Sequence, residues 1–498
     1  MSIGFDVRET SANERFYPSL TSSAEGCLGA VSTTGERLAT CTLPAKVGAN
    51  RVQNRLRPAS SSWRVEQATS GDHLMIHPLL VQVLHQPSLA EFHATLDRPD
   101  YEAAERLLIR HPHAQRLLGH LQTQLQTLRF GQATIPSLNC SDLAVLPELG
   151  SAGLDAALIC KAAELARRQG AVLLTTRTTR PQAYLAEGWI PCGGQVHSTT
   201  APGNLAAVLP QPEARLTAYD ERRQVSHVVR VWRQVEEEVL GQLYDEYSPS
   251  LYGRPLRDRD YLHWVLMRHA FERIYVAVEF TGNSPVQSAD SPDPLLLGGA
   301  PVVAYAVVRH GNIIELSDRS PNRLASAALL KRICADAFER GRHAISYWGA
   351  SNDPLHAWFA RAGGQTAGWQ PESRVADLAF VPNGGKFLRA ICSELQQRTK
   401  HTEVARGGCL GVCLGDEERH TIILNPRSVR ISSGPLPTDT IRLGRAAGMQ
   451  MLLGHRSAEE LQRAHLLTAT TSRAEQLATV LFPRRPWYRP LLDDLRIE

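Results

Sequence analysis

A chain of 498 residues, 43% hydrophobic and 21% charged, is long enough for two to four folded units and has the composition of ordinary soluble globular protein. Its 54 basic side chains nearly balance 50 acidic ones, and a net charge of +4 argues against a nucleic-acid or membrane-surface partner. No apolar run approaches the roughly 18 residues of a bilayer span, and Met1 to Arg15 carries five charges without an apolar h-region, so no secretory signal is expected and a reducing cytoplasm is the expected compartment.

Residues 1–62 are rich in Ser, Thr, Gly and Ala, end in Arg55-Leu-Arg-Pro-Ala-Ser-Ser-Ser62, and hold no sustained period of helix or strand, which predicts a disordered arm. A first unit, 63–213, should open with a strand at Trp63 and continue with helices. Ser88-Leu-Ala-Glu91 reads as a capping box, and Asp97-Arg-Pro-Asp100 as a turn before another helix. Glu91, Asp97, Asp100, Glu102 and Glu105 in this helical third read as solvated faces. Leu121 to Leu128 alternates, with Leu121, Thr123, Leu125 and Thr127 on the face opposite three glutamines, so a half-buried strand is predicted there.

Gly131-Gln132 then turns the chain into a second strand, about Thr134 to Leu146, which Pro147 must end. Leu158, Ala162, Leu165 and Gln169 recur at helical spacing, Glu148 and Asp155 lie near the start, Arg167 and Arg168 in the last turn, and Gly170 just beyond. Charges and cap agree with the helix dipole. Ala171-Val-Leu-Leu-Thr175 reads as an interior strand, and Tyr184-Leu-Ala-Glu-Gly188-Trp189 follows on a helix. A strand–turn–helix of this kind can hold a nucleotide pyrophosphate against the helix N-terminus, where backbone N–H groups and the dipole favour anions.

This block resembles the acetyl-CoA site of the GNAT superfamily of N-acetyltransferases. Leu143-Ala-Val145-Leu-Pro147 matches the end of the family's cofactor strand, and Tyr184-x-x-x-Gly188-Trp189 its last motif. The resemblance implies acetyl-CoA as co-substrate, with the backbone of Leu143, Ala144 and Val145 along the pantetheine arm. It implies the turn of Gly150, Ser151, Ala152, Gly153, Leu154 and Asp155 around the pyrophosphate, and Tyr184 as the proton donor to the leaving thiolate. The chain departs from the family at that turn: the basic first residue is missing, and Asp155 stands where a small residue is usual. A charge pair at about 4 Å and an effective dielectric of about 20 costs roughly 4 kcal/mol before screening, half of a micromolar affinity of about 8 kcal/mol, unless Asp155 caps its own helix and points away.

A second unit, 214–383, repeats the plan: a helix over Trp232–Tyr247, the strand Ile274–Val278, a polar insertion Thr281–Pro294, a hairpin of Val302–Val308 and Ile313–Leu316, a helix Arg323–Arg340, the strand Ala344–Trp348, and a helix opened by Asp353-Pro354. It has no Gly-x-Gly turn, so it reads as a copy without a cofactor motif. The third, 384–498, begins with a helix at Lys386–Gln397, continues with strands at Cys409–Leu414, His420–Leu424 and Ser428–Ile431, and carries the capping box Ser457-Ala-Glu-Glu460. The whole layout is similar to the enhanced-intracellular-survival family: an α/β (α+β) chain of two tandem GNAT-like domains with mixed central sheets and a smaller α+β sterol-carrier-protein-like domain. In that family the terminal carboxylate can serve as a base, which implies Glu498 here.

Nine scattered cysteines without a Cys-x-x-Cys pair, and His111-Pro-His113 without carboxylate or thiol company, predict no metal. Gly150-Ser-Ala-Gly153 is not a nucleophile elbow, because position 149 is Leu149. Two functions follow. One is transfer of acetyl from acetyl-CoA to the primary amine of a small molecule or protein. The other is an inactive GNAT-fold binding or assembly protein that has lost its phosphate turn. Neither involves nucleic acid or membrane, and self-association is left open.

Overall fold

The structure is a computed structural model and describes residues 63–114, 116–149, 152–193, 195–210, 225–247, 252–281, 300–368, 375–400, 402 and 407–494. The expected disordered arm, most of the polar insertion after Thr281, Gly150, Ser151 and Glu498 lie outside them. The chain opens with β1 (Val65–Gln67), α1 (His73–Leu84), α2 (Leu89–Leu96), β2 (Arg106–Arg110), β3 (Leu117–Phe130), β4 (Ala133–Val145), α3 (Leu154–Arg168), β5 (Leu173–Thr178), α4 (Pro181–Ala186), β6 (Ile190–Pro191), β7 (Gln195–Thr200) and α5 (Pro202–Val208). Next come β8 (Val225–Val231), α6 (Glu237–Tyr247), β9 (Tyr252–Pro255), α7 (Arg259–Met267), β10 (Arg273–Thr281), β11 (Val302–Arg309), β12 (Asn312–Asp318), α8 (Leu324–Glu339), β13 (Ile345–Ala350), α9 (Leu355–Arg361), β14 (Gln365–Gly368) and β15 (Ala376–Phe380). The last stretch holds α10 (Gly384–Ala390), α11 (Cys392–Thr399), β16 (Cys409–Leu414), β17 (Glu418–Asn425), β18 (Ser428–Ser432), β19 (Thr440–Leu443), α12 (Arg445–Leu452), α13 (Ala458–Arg463), β20 (Leu467–Ala469) and α14 (Ser472–Leu481).

Three mixed sheets organise these elements. The first runs β1-β2-β3-β4-β5-β15-β6 with β9 against β3, the second β14-β7-β13-β12-β11-β10-β8, and the third β18-β17-β16-β19-β20. The first two exchange a strand. β7 leaves the first segment to pair with β13 and β14, while β15 leaves the second to pair with β5 and β6. Arg177 on β5 clamps this junction, donating to both carboxylate oxygens of Asp377 on β15.

The β3–β4 hairpin depends on Gly131, whose φ is +61. A Cβ there would stand 2.1 Å from the Glu394 carboxylate of α11, which accepts the Gln132 N–H at 2.8 Å. Glycine therefore lets the third segment dock on the first sheet. One continuous core joins the two, from Leu108, Ile135 and Leu158 to Leu410, Ile422 and Leu477, each such side chain contributing about 1.5–3 kcal/mol. The second sheet has a separate core on each face, around Ala306 and Leu329 on one and Val276 and Val307 on the other.

Several local expectations change. Ser88 caps α2 through the Glu91 N–H, but the helix expected after Asp100 is a single 3-10 turn followed by β2. Leu107, Leu108 and Ile109 are buried in β2 between β1 and β3, because a short apolar run satisfies either period and neighbouring strands decide it. Glu91 is buried rather than solvated, and Glu105 pairs with the buried Arg98. On β3 the alternation breaks at Leu125, which is exposed; β2 pairs as far as Gln122 and β9 begins at Leu128, so this stretch has an open edge between them. The helix expected over 386–397 divides at Ile391 into α10 and α11, and α6 starts at Glu237 rather than Trp232.

Candidate functional site

β4 is flanked by β3 and β5, and its two edges part company near the middle. Its parallel pairing with β5 runs from Ser137↔Leu173 to Cys140↔Thr176 and ends there, while its antiparallel pairing with β3 continues to Val145. Ser141 to Val145 therefore lies splayed from β5. The β3 register steps from His120↔Ala144 to Gln122↔Ser141, leaving Asp142 and Leu143 opposite the single residue Leu121. This is a β-bulge, and Asp142 adopts a left-handed φ of +53. Leu143, Ala144 and Val145 are buried, and on the β5 side their backbone has no strand partner.

The strand ends at Pro147, a 3-10 turn spans Pro147–Leu149, and α3 starts at Leu154. Gly153 is its N-cap with φ +76, and a Cβ there would meet nothing within 4 Å. Gly153 has no side chain with which to cap α3, so among the described residues the first-turn N–H groups remain open to an anion. Gly153, Leu154 and Asp155 are brought to this turn as the sequence predicts, with Ala152 beside them donating its N–H to Leu149, whereas Gly150 and Ser151 lie outside the described residues. Leu154 packs inward, 1% exposed.

Asp155 does not cap its helix. It occupies the first turn with carboxylate Oδ1 buried and lacking a hydrogen-bond partner. Burial raises its pKa, opposed by the positive charge of Arg180. The turn's missing basic residue is thus offset by an exposed arginine from the β5–α4 connection.

Tyr184 stands on α4, whose end explains the spacing of its motif. The Gly188 N–H bonds the Leu185 carbonyl, the Trp189 N–H bonds the Tyr184 carbonyl, and Gly188 has φ +82. These are the paired bonds of a Schellman cap with glycine at C′. The accompanying apolar contact is Tyr184 against Trp189, edge to face at 4.9 Å. Tyr-x-x-x-Gly-aromatic is therefore a helix-stop requirement. Tyr184 is 1% exposed, and burial pushes its hydroxyl well above the usual phenol range, helped by the nearby Cys140, Asp142 and Asp155. At neutral pH it holds its proton. Burial also pushes the Cys140 thiol up to about 12, which excludes it as a nucleophile.

A C-terminal strap crosses the opposite side of the β4–β5 divergence, a feature without a sequence signal. Arg489 Nη1 donates to Asn139 Oδ1 on β4 at 2.7 Å, and its Nη2 to Asp494 at 2.6 Å. Arg177 on β5 donates to Asp494 at 2.8 Å and to the Arg489 carbonyl at 3.0 Å. Asp493 holds Arg257, which also forks onto Glu315 of β12. The strap is fixed up to Asp494; Glu498 lies outside the described residues. Among the described residues no group of three or more His, Cys, Asp or Glu side chains is placed to hold a metal.

No family profile matches the sequence, and no curated protein matches it. Solved structures do. A conserved protein of unknown function from Enterococcus faecalis V583, described as a probable N-acyltransferase, superposes with a TM-score of 0.64 at 15% identity, covering 86% of this chain and 99% of its own. A GCN5-related N-acetyltransferase from Anabaena variabilis gives 0.62 at 13% identity over 86% and 99%, and Eis1 from Mycobacterium abscessus 0.56 at 14% over the same shares. Across most of its length the chain has the mixed α/β fold of GCN5-related N-acetyltransferases.

Proposed function

We propose that this chain is an N-acetyltransferase that moves acetyl from acetyl-CoA to a primary amine. The observation that carries the reading is the conjunction at one end of β4: a strand edge splayed from β5, a bulge, and an uncapped helix N-terminus with open space in front of it. The residues fit the cosubstrate. The backbone of Leu143 to Val145, without a strand partner on the β5 side, suits an amide-bearing pantetheine arm, and the turn of 150–155, with Arg180 nearby, suits a pyrophosphate.

In the reaction the amine nitrogen attacks the thioester carbonyl; a C–N bond forms and the C–S bond breaks. Backbone N–H groups at the bulge stabilise the carbonyl oxygen as it gains charge. Tyr184 gives its proton to the departing sulfur. The proton lost by the amine goes to a carboxylate, for which the chain terminus at Glu498 is the candidate, or to ordered water.

The unit boundaries belong to the same proposal: GNAT-like domains over 63–213 and 214–383, the first with the site, and a sterol-carrier-protein-like domain over 384–498, in a cytoplasmic protein whose acceptor is a small-molecule or protein amine. One observation favours a second reading, a binding or assembly protein without catalysis: an acidic residue stands in the phosphate turn. Calorimetry with acetyl-CoA separates the two. Micromolar binding is expected for the enzyme, and no heat at millimolar ligand removes it.

A further inference from the structure

A line of polar groups, half-buried at His73 and Tyr101 and buried at Arg106 and His120, leads from α1 to the bulge of β4, and the acetyl-transfer scheme makes no use of it. His73 Nε2 lies 2.8 Å from the Tyr101 hydroxyl, which accepts a hydrogen bond from Arg106 Nε at 2.8 Å. Arg106 Nη1 lies 3.2 Å from His120 Nε2, and His120 Nδ1 lies 2.9 Å from the carbonyl oxygen of Asp142. The partners assign the proton. A guanidinium only donates and a carbonyl only accepts, so His120 carries its hydrogen on Nδ1 and is neutral. Burial and the charge of Arg106 hold it there, lowering its pKa to about 3. Arg106 is itself 1% exposed and lies over the Phe92 ring at 4.9 Å.

Asp142 is the residue this line ends on, and it is the left-handed residue of the bulge. A non-glycine residue with φ +53 persists when its surroundings hold it. His120 comes from β3, from the position just before Leu121, where the register breaks. We propose that His120 is a positioning residue: its Nδ1–H holds the Asp142 carbonyl and so fixes the bulge that presents the free edge of β4 to the acyl group. The role in acetyl transfer rests on the function proposed above; the role in holding the bulge does not. Arg106 acts one step back, by keeping the imidazole in the donating tautomer.

Two conservative substitutions separate the ends of the ring. His120→Asn places an amide donor near the position of Nδ1, whereas His120→Gln places it near Nε2 and removes the bond that His120 makes to the Asp142 carbonyl. Amide hydrogen exchange of the peptide spanning 141–145 is measured together with calorimetric binding of acetyl-CoA. In H120Q exchange at the bulge should accelerate and binding weaken, each by roughly tenfold, the scale of one buried hydrogen bond. H120N should stay within about threefold of the parent protein, and the peptide spanning 440–443 in the third sheet should be unchanged in both. Equal behaviour of H120Q and H120N, or a bulge that exchanges at the parent rate in H120Q, overturns the proposal. A parent protein that does not bind acetyl-CoA overturns the transferase reading, and the exchange measurement then still decides whether His120 holds the bulge.

Discussion

Two helix N-termini follow two splayed strands in this molecule, and they differ in what their amides face. β12 pairs with β13 only through Asn312↔Ser346 and Ile313↔Tyr347 and continues beside β11 alone, much as β4 leaves β5 and stays with β3. Beyond β12, however, Asp318 accepts from the Ser326 N–H at 2.8 Å and from its hydroxyl, and Ser320 Oγ accepts from the Ala325 N–H at 3.0 Å. The first turn of α8 is thus filled by the chain's own carboxylate. Among the described residues no side chain does this at α3, whose N-cap is a glycine. At α8 an internal anion occupies the place that an external one would need.

The contrast can be broken most severely at Tyr184. Tyr184→Phe keeps the packing against Trp189 and removes the proton donor, so acetyl transfer should fall by roughly 10²- to 10⁴-fold with acetyl-CoA affinity little changed. Steady-state kinetics beside calorimetry reads both, and residual activity near the parent level would mean that Tyr184 is only the C3 residue of its Schellman cap.

Removing the internal anion tests the other side. Asp318→Ala leaves the α8 amides without their acceptor and should destabilise the protein by about 2 kcal/mol in denaturant unfolding. It should not create a second acetyl-CoA site, because no open turn like Gly153 precedes α8, whose N-cap is Arg323. A calorimetric stoichiometry rising from one to two would contradict this.

Asp155 sharpens the comparison from within. Asp155→Asn removes the charge that opposes a pyrophosphate and should tighten acetyl-CoA about tenfold; unchanged affinity would show that the carboxyl faces elsewhere.

The smallest effect is on pH. Burial raises the Asp155 pKa in the fold, so the native state holds this proton more tightly than the unfolded chain. Its contribution to stability is present below the unfolded value and is lost as pH rises through the folded one. The parent should therefore lose slightly more stability than the Asn variant over that interval, measured as the difference in Tm between the two proteins.

How far the sequence discloses this arrangement depends on the range of the interactions. Pro147, Gly170, Gly188 and the spacing of Leu158, Ala162 and Leu165 are local signals, and the β4–α3–β5–α4 block agrees with them. Leu107-Leu-Ile109 shows the limit, a short run that reads equally well as helix or strand until β1 and β3 flank it. Of the filled end of α8 only the missing Gly-x-Gly turn was visible. The strap was not, because Asn139 and Arg489 meet across 350 positions. Nor was His120, whose meaning comes from a bulge that forms only when β3 and β4 pair out of step.

The exchange of β7 and β15 governs how the protein can be taken apart. A fragment ending near residue 213 would carry β7, which belongs to the second sheet, and would lack β15, leaving the edge of β5 bare beside Arg177 without Asp377. Exposed edges of this kind recruit other chains, so such a fragment is expected to aggregate rather than report on the isolated site. In the intact chain neither sheet can finish before the other supplies its strand. The Arg177–Asp377 pair closes a separation of 200 residues, and contacts that distant make for slow folding. The two sheets should then unfold in a single transition.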